Sequence, residues 1–176
     1  MDAVDQRIDA LMRSNEWTSA ARSLSALLRK RSDDHFLLLK RGLCDHERHR
    51  YSKALPWFAK AAAAAPHCPC AQYNLANTLF MLKREGEAFA ILSKLAAMSP
   101  DMVEDACADA DEDGAGFVAD VHYLLFQIVI EREQDYAAAA PYLQRHLALR
   151  KGHRSLWPLR VLRREVKGYR KEYERG

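Results

Sequence analysis

The chain is poor in everything that builds a sheet. Val, Ile and Thr together supply 13 of its 176 residues, and Gly with Pro supplies another 13. Strands favour β-branched side chains and need turn residues at short intervals. Sandwiches, barrels and doubly wound α/β folds are therefore not expected. Four cysteines, at positions 44, 68, 70 and 107, are too few for a disulfide framework in a chain of this size, and they read as reduced, packed thiols. Long apolar runs are missing too. The best stretch, Phe117–Ile130, is broken by Asp120, His122 and Gln127 and falls short of the roughly 20 residues of a membrane helix. The first residues, Met-Asp-Ala-Val-Asp, hold no apolar signal core. The expectation is a cytoplasmic protein with no membrane partner.

Catalytic signatures are also missing. There is no nucleophile elbow, phosphate loop, His-Glu-x-x-His or dinucleotide glycine motif, and the seven glycines are scattered. No enzyme activity and no cofactor are expected.

What the chain has in quantity is Ala (28) and Leu (22), both strong helix formers. The composition reads as all-α. The net charge of +3 hides a strong asymmetry. Residues 101–114 carry seven acids and no base, whereas residues 147–176 carry ten Lys or Arg against three acids.

A period of 34 residues runs through the chain. It separates Ala20, Ala54 and Ala88, and likewise Trp17 from Tyr51, Gly42 from Ala76, and Pro66 from Pro100. Tyr136, Ala139 and Pro141 repeat the local pattern of Tyr51, Ala54 and Pro56. A fixed period of this length marks a repeat architecture, in which each unit buries its apolar face on its neighbours.

These landmarks resemble the tetratricopeptide repeat, a 34-residue helix–turn–helix unit. The register gives repeats 1–34, 35–68, 69–102 and 120–153, an acidic insertion at 103–119, and a basic tail at 154–176. The resemblance implies an α-solenoid of about four repeats, with small residues at positions 8 and 20 where paired helices approach closely. Pro56 and Pro141 are expected near the first turn of their helices, where a missing N–H costs least. In the tail, Leu159, Leu162, Val166, Tyr169 and Tyr173 are spaced as one helical stripe. That stripe predicts a helix capping repeat 4. Its other readings are a homodimer seam or an arm for an anionic partner.

The resemblance also implies a function. The first helices of stacked repeats line a groove that holds a peptide of a partner protein. The groove positions of repeat 2 include Phe36, Leu39, Lys40, Leu43 and His46. Those of repeat 3 include Tyr73, Asn74, Asn77, Phe80 and Met81, and those of repeat 4 include Leu124 and Ile128. The expectation is a non-catalytic protein–protein interaction module. The alternatives are a binder of an acidic protein or nucleic acid through the basic tail, and a secretion-type chaperone. Nucleic acid is the less expected partner, because the tail aromatics are spaced for packing. Family members that grip a C-terminal carboxylate need a set of Lys, Asn and Arg residues. Here only Asn74 matches, so binding of heat-shock-protein tails is not expected.

Two further patterns bear on metals. Asp109, Asp111, Asp113 and Asp120, with Gly114, are spaced like a calcium loop. However, Asp stands at the twelfth place, Gly116 at the eighth, and no second loop is present. An acidic surface loop without metal is the expectation. Cys68-Pro69-Cys70 follows His67, but a structural zinc site needs four ligands, and no second pair is evident.

Overall fold

In the computed structural model, residues 3–107 and 113–153 are described, together with 155, 156, 162, 164 and 167. Among them are nine α-helices: α1 (Ala3–Arg13), α2 (Trp17–Leu28), α3 (His35–His46), α4 (Tyr51–Ala64), α5 (Pro69–Met81), α6 (Glu85–Ala96), α7 (Pro100–Ala106), α8 (Gly114–Glu133) and α9 (Tyr136–Leu149). They belong to two compact units, Met1–Arg84 and Glu85–Gly176. The division falls between α5 and α6, inside the 69–102 repeat.

The repeat register reappears in the backbone. Asn15, His49, Lys83 and Gln134 all have positive φ, between 52° and 61°. Each stands at position 15 of its repeat, in the turn between the two helices. In the first three repeats the next residue closes the turn with a bond six residues wide: Glu16 N–H to Leu11 O, Arg50 N–H to Asp45 O, and Arg84 N–H to Leu79 O, at 2.8–2.9 Å. This is the left-handed C-terminal stop that satisfies orphan helix carbonyls. Glycine would fill it without strain, yet none of the four residues is glycine.

In the first unit α1 pairs with α2 and α3 with α4, while α3 also packs against α2 and α5. Ala20 and Ala54, at position 20, are fully buried, as are Leu24 and Phe58 one turn on. Gly42 is small for a specific reason. A Cβ there would stand 2.6 Å from the Phe58 ring. In the second unit α8 packs on α6, α7 and α9. Its core joins Tyr123, Phe126 and Ile130 to Tyr136, Ala139 and Leu143, and takes in Leu162 of the tail, 1% exposed.

Three expectations need correction. The 103–119 insertion is not a loop throughout. Ser99 caps α7, with Pro100 at its first position, and α8 begins at Gly114, six residues before the repeat register. Gly114 allows the start of α7 to approach, since a Cβ there would lie 2.1 Å from Pro100 O. Pro56 and Pro141 are each the sixth residue of their helices, a turn deeper than expected, so each forfeits a bond to the carbonyl four residues back. Finally, α8 is 20 residues long and apolar enough to cross a membrane by length and composition, but 78% of its most apolar window is buried. A helix that is apolar all round is accounted for by such burial.

Candidate interaction surface

The proposed groove positions in the first unit lie on α3 and α5, two first helices that pack together. Asp34 starts α3 by accepting a hydrogen bond from the Leu37 N–H. Pro69 starts α5 with its φ already helical. Phe36 and Met81 are exposed, at 38% and 42%. Leu43, His46, Asn74 and Asn77 are half-buried. Asn74 Nδ2 donates to Cys70 O at 2.8 Å. Lys40 is half-buried and paired with Asp9 of α1 at 2.6 Å, so a ligand carboxylate would have to displace that partner. The His46 ring lies edge-on to Tyr51 and Phe58. Burial lowers its pKa, and its Nε2 is buried with no hydrogen-bond partner among the described residues.

Other groove positions serve the interior. Leu39, Tyr73 and Phe80 are buried at 5–7% exposure. In the second unit Leu124 and Ile128 are 1% and 0% exposed. They therefore do not line an accessible face, because α8 buries 15 of its 20 residues.

Asp109 and Asp111 of the calcium-like pattern lie outside the described residues. The two that are described are engaged on the helix. Asp113 caps α8 by accepting from Gly116 N–H. Asp120 accepts from Ser155 Oγ and from Leu156 N–H, which ties the start of the tail to α8. Burial raises its pKa against those two bonds. All four cysteines are free thiols. A hydrogen bond from Cys70 holds the Cys68 thiol below its ordinary range, while burial pushes Cys44 up to about 11. Among the described residues no three metal-ligating side chains converge.

One polar core residue escaped the sequence reading. His146 occupies position 27 of its repeat, where the others have Leu27, Ala61 and Leu95, and it is fully buried. Its Nδ1 lies 2.7 Å from Ala119 O and its Nε2 lies 3.2 Å from Arg150. A neutral ring donating from Nδ1 and accepting at Nε2 satisfies both. Nearby, burial lowers the His122 pKa to about 4, helped by Arg145 and His146.

Tetratricopeptide repeat models match residues 6–69 and 46–109. The chain belongs to the tetratricopeptide repeat family. Solved structures agree on the fold. A MamA structure titled "MamA MSR-1 C2" is 17% identical with a TM-score of 0.57, covering 81% of this chain and 72% of its own. MamA from Desulfovibrio magneticus RS-1 is 18% identical with a TM-score of 0.52, covering 86% of this chain and 96% of its own. No curated protein matches the sequence. As a tetratricopeptide repeat protein, the chain is a protein-interaction module. Most of its tail lies outside the described residues, but Leu162 is spent on the core of the second unit. That observation favours capping over a dimer seam or a free basic arm.

Proposed function

We propose that the chain binds a peptide segment of a partner protein along α3 and α5, without catalysis. The observation that carries this reading is the side-by-side packing of these two helices, with apolar and amide side chains left open on them. Phe36 and Met81 supply apolar anchors, and Met adapts to irregular partners. The side-chain oxygen of Asn74 and the amide of Asn77 offer hydrogen bonds to a peptide backbone. Such a surface suits an extended or helical segment with hydrophobic anchors. The four free thiols suit a reducing setting such as the cytoplasm.

The test is selection of binders from a displayed random-peptide library, followed by fluorescence anisotropy. Selected peptides should bind the wild type and lose at least tenfold in affinity for Phe36→Ser/Met81→Ser. Each side chain is still more than half buried, so a modest fall in melting temperature is expected, and affinities are compared well below it. Equal binding by the double variant would overturn the reading.

A further inference from the structure

A second surface of the first unit has a different chemistry. A cleft of about 790 Å³ opens between α2 and α4, above the end of α3. Six cations line it, Arg22, Arg29, Arg41, Arg48, Arg50 and Lys53, against a single acid, Asp45. The cleft exists because α2 presents small residues there. Ser25 and Ala26 stand between Arg22 and Arg29, which lie two turns apart along α2 and its C-cap, and Ala21 lies beside Arg22.

One of the six cations is already committed. Arg41 pairs with Asp45 at 2.6 Å, donates to Ser25 Oγ at 3.2 Å, and lies 4.9 Å from the centre of the Trp57 ring. Asp45 is itself buried, so this pair forms the fixed floor of the cleft. Arg22, Arg29, Arg48, Arg50 and Lys53 have no ion-pair partner among the described residues. Five like charges around one cleft repel one another, and an anion relieves that repulsion.

We infer that this cleft binds a carboxylate-rich peptide segment of a partner protein. Arg forks match carboxylates with two parallel hydrogen bonds. The volume lies within the roughly 300–1,000 Å³ of ligand-sized sites. A nucleic-acid duplex engages proteins over surfaces of roughly 600–2,500 Å², which a cleft between two helices does not offer. The cleft takes Arg41 and Asp45 from α3, but it shares no residue with the groove proposed above on α3 and α5. Either can fail without the other.

The probe is a fluorescein-labelled eight-residue peptide of Glu and Ser, read by anisotropy with the full chain at 50 mM and 300 mM salt. Binding should be present at 50 mM and at least tenfold weaker at 300 mM, because ionic contacts are screened. Arg22→Gln/Arg29→Gln should weaken it at least tenfold. Arg13→Gln/Lys94→Gln removes the same net charge at residues that do not line the cleft and should change it less than twofold. Circular dichroism melts establish that both variants fold. Absence of binding at 50 mM salt would overturn the inference, as would equal loss in the two variants. A DNA duplex of equal charge binding more tightly than the peptide would overturn it as well.

Discussion

Replacing Gly42 with Ala tests the repeat packing at its tightest point. The added Cβ would lie 2.6, 2.7 and 2.9 Å from three carbons of the Phe58 ring, distances that side chains do not tolerate. Phe58 is fully buried and stands with its ring against His46, so it cannot swing into solvent. Overpacking of this kind costs roughly 1–3 kcal/mol. Against it stands the helix propensity of Ala, worth about 1 kcal/mol over Gly inside a helix. The net expectation is a loss of up to about 2 kcal/mol, read as a lower urea midpoint at constant slope. Two controls isolate the cause. Gly86→Ala places its Cβ in open space and should leave stability unchanged or raise it by about 0.5 kcal/mol. Adding Phe58→Leu to Gly42→Ala should cost less than the sum of the single changes, since the smaller side chain relieves the clash. If Gly42→Ala proves as stabilising as Gly86→Ala, the close approach of α3 and α4 at this point is wrong.

Three further outcomes follow from the geometry. Gln134→Gly should stabilise the chain by about 1 kcal/mol or less, because it removes a left-handed conformation from a residue with a Cβ; a lower urea midpoint would contradict the turn assignment. His122 has its folded pKa lowered from 6.5 to about 4, so its contribution is complete above pH 6.5 and is lost as pH falls from 6.5 towards 4. After discounting for the partial exposure of the ring, that loss is about 1–2 kcal/mol. His122→Leu should flatten the urea midpoint between pH 7 and 4.5, and an unchanged profile would show that another group carries it. Calcium at 5 mM (roughly the weakest class of extracellular calcium sites) should leave the melting temperature unchanged, because Asp113 and Asp120 already have partners. A rise abolished by Asp120→Asn would contradict that.

The period was legible because close helix contacts admit only small side chains. Ala20, Ala54, Ala88 and Ala139 recur for that reason, and all are fully buried. The turn at position 15 was not legible, since Asn15, His49, Lys83 and Gln134 share a backbone conformation and no side-chain chemistry. The helix that runs into the insertion, α7, carried a signal just before it in Ser99-Pro100-Asp101, a cap followed by Pro at the first helical position. The seven acids of 101–114 masked it. Groove positions were only partly legible. The register places Leu124 on the same nominal face as Leu39, but it says nothing of how completely α8 is enclosed. His146 was hidden because a buried imidazole looks like any polar residue until Ala119 O and Arg150 are seen beside it. The basic cleft draws its cations from α2, the end of α3 and the start of α4. No single stretch of sequence therefore stands out by charge.

Hydrogen–deuterium exchange on the full chain with a library-selected peptide tests the proposed interaction surface most directly. Binding should protect α3 and α5, with α2 and α4 unchanged unless the peptide is rich in carboxylates. Protection confined to α6–α9, or no protection by any peptide that binds, would contradict it.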